Sequence, residues 1–114
     1  MSSSTSSSAN AAVAPREQLA GLKSDLEALA TKMGELEQER DEHQLVLDTI
    51  SPMDPGRKCF RLVGGVLVER TIRDVVPAVT TNMEGIKQII GQLQQSFKIK
   101  EAEYLSLQKK HNIK

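Results

Sequence analysis

The sequence predicts a mainly α fold: an antiparallel two-helix coiled coil with one β-hairpin between the helices. Two long segments carry apolar residues at alternating steps of three and four, which is the heptad pattern of a coiled coil. Between them, a Gly-Gly pair separates two short runs rich in β-branched residues, which indicates a hairpin. With 114 residues and only three aromatics, the chain cannot fill a thick globular core. Burial must therefore be narrow and linear, or shared with other chains.

Residues 1–15 are rich in serine and alanine and offer little to bury, so we expect a disordered tail. A Ser-rich transit peptide is the alternative. Such peptides are rich in arginine, however, and no Arg precedes Arg16.

The first heptad pattern predicts a helix over about residues 16–51, because Pro15 suits a first turn and Pro52 cannot continue a helix. We use the word seam for the apolar stripe of each helix. The predicted seam positions are Leu19, Leu22, Leu26, Leu29, Met33, Leu36, Arg40, His43, Leu47 and Ile50. After this helix, Asp54-Pro55-Gly56-Arg57 predicts a type II turn in which Gly56 takes a positive φ.

Gly64-Gly65 predicts a two-residue turn inside a hairpin over about residues 58–70, because primed turns need positive φ. In that register Val63 pairs with Val66. Further along, Leu62 pairs with Leu67, Arg61 with Val68 and Phe60 with Glu69.

Apolar side chains then occupy both faces of the predicted hairpin, and a chain this small cannot cover both faces and both strand edges. We therefore expect hairpins of several subunits to join edge to edge into an intersubunit β-barrel. The predicted assembly residues are Phe60, Leu62, Val63, Gly64, Gly65, Val66, Leu67 and Val68.

The second heptad pattern predicts a helix over about residues 72–111. Thr71 followed by Asp74 is similar to a capping box, and Pro77, beyond the first turn, predicts a kink or a restart of the helix. The predicted seam positions are Ile72, Val76, Val79, Met83, Ile86, Ile90, Leu93, Phe97, Lys100, Tyr104, Leu107 and His111.

Antiparallel pairing of the two seams predicts Leu47 near Val76 and Leu22 near Lys100. The polar seam residues Arg40, His43 and Lys100 predict a register-fixing layer whose charged groups reach solvent or a glutamate such as Glu84. A pH sensor at His43 is an alternative that no other residue supports.

Several functions are excluded by composition. Basic and acidic residues balance at fifteen each and are interspersed, so nucleic acid is not an expected partner. One cysteine and two histidines fall short of a zinc site, and no run reaches the roughly 18 apolar residues of a membrane span. No phosphate-binding loop or activated nucleophile is present, and Cys59 lies inside a strand pattern where packing is its expected role. We expect a non-enzymatic protein without cofactors.

The stretch Arg57-Lys58-Cys59-Phe60-Arg61-Leu62-Val63-Gly64-Gly65-Val66-Leu67-Val68-Glu69-Arg70-Thr71 resembles the hairpin and helix start of β-class subunits of the prefoldin family. The segments 42–49 and 110–113 also resemble such subunits. The resemblance covers about residues 16–114, and Phe60 stands where a tyrosine is expected.

The resemblance implies a heterohexamer of two α-class and four β-class subunits, so two α-class and three further β-class subunits would be partners. It implies ATP-independent binding of unfolded or nascent proteins such as actin and tubulin, and their transfer to the cytosolic chaperonin. The expected location is the cytoplasm, with the nucleus as a further site. Apolar residues near the helix ends far from the hairpin would contact clients: Leu19, Leu22, Leu105, Leu107 and Ile113. The alternative is a coiled-coil scaffold or tether of another complex, which would have no use for a two-faced apolar hairpin.

Overall fold

The computed structural model describes residues 14–112. These residues form helix α1 (Pro15–Ile50), strand β1 (Lys58–Val63), strand β2 (Val66–Thr71) and helix α2 (Ile72–Lys110). The predicted fold class, with two long helices and one antiparallel hairpin between them, is confirmed. Ile113 and residues 1–13, which make up most of the predicted tail, lie outside the described residues.

The seam predicted for α1 is the face that the structure buries. All ten predicted seam positions are buried or half-buried, and Leu19, Leu36 and Leu47 are the most buried, at 6–7% exposure. Almost all the residues between them are exposed. Because the heptad pattern concentrates apolar side chains on one narrow stripe, α1 gains its tertiary stabilisation along that stripe.

The seam of α2 follows the prediction as far as Leu107. Its most buried residues are Ile72, Val79, Met83, Ile86 and Ile90. His111, which was predicted to continue the seam, is exposed because the helix ends at Lys110. Asn112 then adopts a φ of 52° and its amide donates to the carbonyl of Lys109 at 3.3 Å. Asparagine tolerates this left-handed conformation, which ends a helix.

The chain divides into two compact units, and the first consists of residues 33–92. Its core is formed by Leu47, Val79 and Met83, with Val75 and Val76 packed against them. The predicted proximity of Leu47 and Val76 is confirmed.

The second unit combines the beginning of α1 with the end of α2. Lys100 Nζ lies 3.3 Å from Asp25 Oδ2, and Leu22 lines a groove together with Glu103 and Leu107. Asp25 lies one helical turn beyond Leu22 on α1, and the proximity of Leu22 and Lys100 stays a prediction.

The polar seam residues find partners other than the glutamate that the sequence suggested. Arg40 Nη2 lies 3.1 Å from Asp41 Oδ1 on its own helix, and the Nδ1 of His43 donates to the carbonyl of Glu39 at 2.8 Å. Glu84 instead pairs with its own helix neighbour Lys87, at 3.6 Å. Glu84, the example of a partner that the sequence suggested, is therefore not used, because Arg40 and Lys100 pair with Asp41 and Asp25 instead.

Of the two predictions about proline-containing segments, the type II turn is wrong, whereas for Pro77 only a restart is excluded and a kink stays a prediction. Residues 54–57 form a turn in which the Arg57 amide donates to the Asp54 carbonyl at 2.9 Å, but the φ of Gly56 lies outside the left-handed region. The Asp54 carboxylate accepts the Gly56 amide at 3.0 Å, which favours a type I turn over the predicted type II turn. Helix α2 continues through Pro77 without a restart.

Candidate functional site: the exposed hairpin

The hairpin is fixed in the register that its sequence predicts. Val63 pairs with Val66 and Leu62 with Leu67, and the ladder continues to Lys58 and Thr71. Gly64 and Gly65 have φ values of 56° and 82°, as a primed two-residue turn requires. The turn and the register are therefore confirmed.

Alternation along the two strands divides the hairpin into two faces. We call one the valine face, formed by Cys59, Arg61, Val63, Val66, Val68 and Arg70. We call the other the leucine face, formed by Lys58, Phe60, Leu62, Leu67, Glu69 and Thr71.

Both faces expose large apolar side chains. Phe60, Leu62 and Leu67 on the leucine face are each 67–68% exposed. On the valine face, Val63 and Val66 are more than half exposed, and Val68 is 37% exposed. Among residues 14–112 the sheet has only two strands, so the outer edge of each strand lacks a partner strand. An isolated hairpin with two apolar faces and two open edges is marginal in water and typical of an interaction surface.

The loop before the hairpin anchors it to α2 by backbone hydrogen bonds. The amide of Ile72 donates to the carbonyl of Arg57, and the amide of Arg73 donates to that of Pro55, both at 3.0 Å. At the same junction the Thr71 hydroxyl donates to Asp74 Oδ2 at 3.1 Å. The residues of the predicted capping box thus interact, although through their two side chains.

A cavity of about 290 Å³ lies where the hairpin meets the two helices. Its walls are mostly apolar, with polar atoms from His43, Arg61 and Asn82. Cys59 also lines it, and this half-buried free thiol makes no disulfide among the described residues. The cavity opens beside the exposed hairpin and extends its apolar surface toward the helices.

The residues predicted to contact clients differ in exposure. Leu105 is 55% exposed, whereas Leu22 and Leu107 are half-buried and line the same groove. Leu19 is only 6% exposed, so its side chain packs in the seam and is not presented to a client in this conformation. The prediction for Ile113 falls outside the described residues.

The described part of the chain offers little for metal or membrane chemistry. No group of three or more His, Cys, Asp and Glu side chains in residues 14–112 could hold a metal ion. Neither helix has a stretch apolar enough to cross a membrane.

Sequence reasoning missed two features of this molecule. The ion pair between Asp25 and Lys100 depends on the register between the helices, which the heptads alone do not fix. The two arginines of the valine face were seen only as strand residues, although their lack of an acidic cross-strand neighbour is visible once the register is written out.

Comparisons with known proteins agree with this architecture. A family model described as "Prefoldin subunit" matches residues 16–114. Prefoldin subunit 2 of Homo sapiens and that of Bos taurus are each 44% identical over 115 residues, covering 98% of this chain and 75% of the relative. The probable prefoldin subunit 2 of Schizosaccharomyces pombe is 46% identical over 91 residues, covering 80% of each chain.

A solved structure shares the fold at low sequence identity. The crystal structure of the prefoldin beta subunit from Thermococcus strain KS-1 is similar with a TM-score of 0.80 and 18% identity, over 84% of each chain. The heptad helices, the hairpin, the family model and the relatives agree, and the chain belongs to the prefoldin family of chaperone subunits.

Proposed function

We propose that this chain is a β-class subunit of a heterohexameric prefoldin, with two α-class and three further β-class subunits as its partners. In this role it acts without catalysis or ATP in the cytoplasm. The complex holds unfolded or nascent proteins, such as actin and tubulin, and transfers them to the cytosolic chaperonin. Family membership supports the coarser part of this proposal, assembly with other prefoldin subunits.

The observation that carries the proposal is the exposure of the hairpin on both faces. Three side chains of the leucine face are about two-thirds exposed, and the three valines opposite are also exposed. Burying each such side chain contributes about 1.5 to 3 kcal/mol, and no helix or strand of residues 14–112 covers these six. Strand edges from neighbouring hairpins would satisfy the unpaired backbone groups as well, which a closed barrel accomplishes.

Client binding is proposed for the C-terminal part of α2, where Leu105 presents an apolar side chain that is more than half exposed. Non-directional hydrophobic contact suits a holdase, because it does not depend on the client's sequence. Several arms acting together would hold a client even where each contact is weak. The buried Leu19 is not part of this proposed surface.

The test is native mass spectrometry of the tagged chain purified from its own cells. We expect a six-subunit assembly that contains one copy of this chain. Leu62→Ser combined with Leu67→Ser should reduce incorporation strongly, because both side chains lie on the leucine face. Ile89→Ser combined with Ile99→Ser is the matched control, since these residues are 46% and 52% exposed but lie outside the hairpin.

A coiled-coil tether would give a different result. Its partners would bind along the helices, so the leucine-face variant would keep them. Unchanged incorporation of that variant would contradict the proposed assembly through the hairpin.

A further inference from the structure

Four cationic side chains in residues 14–112 are half-buried, and two of them lack an acidic partner. Arg40 and Lys100 each have a carboxylate oxygen nearby, at 3.1 and 3.3 Å. The side chains of Arg61 and Arg70 make no hydrogen bond or ion pair with any described residue. The molecule therefore neutralises its half-buried cations on the helices but not on the hairpin.

The two unpaired arginines are neighbours on the valine face. Arg61 pairs with Val68 in the ladder, and Arg70 lies two residues beyond Val68 on the same strand. This diagonal relationship brings long side chains within reach of each other. The valine face therefore combines three exposed valines with two adjacent positive charges.

On the leucine face, the two charged residues that are diagonal neighbours have opposite charges. Lys58 pairs with Thr71 in the ladder, and its Nζ lies 3.4 Å from Glu69 Oε1. The leucine face is thus neutralised within the chain, whereas the valine face is not. Only the valine face requires acidic groups from a partner chain to neutralise its cations.

Covering the valine face removes water from both guanidinium groups, which is strongly unfavourable unless a partner supplies acceptors. A second copy of this chain docked through the same face would add two more arginines, and like charges would repel. A carboxylate would instead accept the parallel donors of a guanidinium.

We propose that the valine face docks a neighbouring prefoldin subunit that presents carboxylate side chains to Arg61 and Arg70, and that this charge match selects the neighbour against a second copy of this chain. The inference rests on the proposed function and names the chemistry of one of its partners. Arg61 also lines the 290 Å³ cavity beside the hairpin, which leaves room for a partner side chain next to its guanidinium. The exposed valines favour a protein partner over nucleic acid, since a phosphate backbone has no use for them.

The experiment measures incorporation of labelled variants into the complex with the other prefoldin subunits of the same source. Arg61→Glu combined with Arg70→Glu should weaken incorporation by roughly 30-fold or more, because each partner carboxylate would face a like charge. The control is Glu84→Lys combined with Lys87→Glu, which exchanges two charges on α2, outside the hairpin, and keeps their ion pair. This control should assemble within about threefold of wild type.

A second variant tests whether a loss of incorporation by the charge-reversed variant comes from misfolding. Arg61→Gln combined with Arg70→Gln keeps polar side chains but removes both charges, and it should weaken incorporation in the same direction by about tenfold. Helix content by circular dichroism should match wild type in all variants.

Normal incorporation of the variant with both arginines changed to glutamate would overturn the inference, and so would an equal loss in the α2 control. Nucleic-acid binding by wild type that the reversal abolishes, with assembly unchanged, would assign the arginines to that ligand instead. Failure of the wild-type chain to enter any complex would overturn the proposed function itself.

Discussion

The backbone amide of Ile72, the first residue of α2, donates a hydrogen bond to the carbonyl oxygen of Arg57 at 3.0 Å. The next amide, that of Arg73, donates to the carbonyl of Pro55 at the same distance. The first amides of a helix have no acceptor within the helix, so the preceding loop satisfies two of them. The base of the hairpin and the start of α2 are consequently fixed together by the backbone.

Thr71→Val tests how far the side-chain bond at this junction contributes. The substitution keeps the β-branched shape but removes the hydroxyl that donates to Asp74. We expect local stability at the start of α2 to fall by about 1 kcal/mol, which corresponds to roughly fivefold faster hydrogen exchange of the Ile72 and Arg73 amides.

The control for this measurement is Thr31→Val, at an exposed position in α1. It should leave the exchange of those two amides unchanged. If the Thr71 variant also shows wild-type exchange, the backbone bonds alone hold the junction.

Gly64→Val combined with Gly65→Val should prevent incorporation into the complex. Both glycines have positive φ, where a β-branched residue is strongly disfavoured. The turn must then reopen, which disturbs the strand register, while the helices form independently of it. Native mass spectrometry should show the loss of incorporation, and circular dichroism should show nearly unchanged helix content.

Gly85→Val combined with Gly91→Val is the matched control. A Cβ added at either helical glycine meets nothing within 4 Å, and neither has a φ in the left-handed region. This control should assemble normally. Normal assembly of the turn variant as well would show that the hairpin turn is dispensable.

The hairpin could be predicted to the residue because its determinants are local. A Gly-Gly turn fixes which residues pair, and a period of two fixes which side chains share a face. The seams were also predictable, since the heptad identifies the buried positions within each helix. His111 is the exception, because the helix ends at Lys110 and the side chain of His111 is exposed.

The register between the helices could not be predicted in the same way. Sliding one heptad seam by a turn replaces apolar contacts with similar ones, so the pattern alone distinguishes the alternatives poorly. The observed register brings Lys100 to Asp25, and this long-range pair is absent from any local pattern. The candidate client residues were affected most, because Leu19 is buried and Leu22 and Leu107 line one groove.

Lys100→Leu should stabilise the coiled coil. The carboxylate partner Asp25 has a side chain that is 55% exposed, and an ion pair so accessible to solvent contributes about 0 to 1 kcal/mol. A leucine at this half-buried seam position would contribute part of the roughly 1.5 to 3 kcal/mol of full burial. We expect a net gain of about 1 kcal/mol and a higher melting temperature of the complex.

Lys98→Leu provides the comparison, since Lys98 is exposed and lies off the seam. It should not raise the melting temperature. A lower melting temperature for Lys100→Leu would contradict this expectation. It would mean that the ion pair with Asp25 stabilises the observed register by more than its exposure suggests.

Two single substitutions, Leu105→Ser and Leu107→Ser, are compared in order to separate client binding from stability. Leu105 is 55% exposed, so its replacement should change the free energy of unfolding by less than about 0.5 kcal/mol. Leu107 is half-buried beside Leu22, and its replacement should reduce that free energy by roughly 1 to 2 kcal/mol. Thermal melts of complexes containing each variant measure this difference.

The same two complexes are then compared by light scattering of diluted, denatured actin. The Leu105 variant should suppress aggregation less well than wild type, although the remaining arms would limit the loss to a partial one. The Leu107 variant, assayed well below its melting temperature, should suppress aggregation more nearly as wild type does. The two leucines lie two residues apart and differ in exposure. A larger loss of aggregation suppression in the Leu105 variant would therefore indicate that the exposed side chain of Leu105 contacts the client. Equal suppression by the Leu105 variant and wild type would remove this residue from the client surface, and a large drop in its melting temperature would show that it packs for stability.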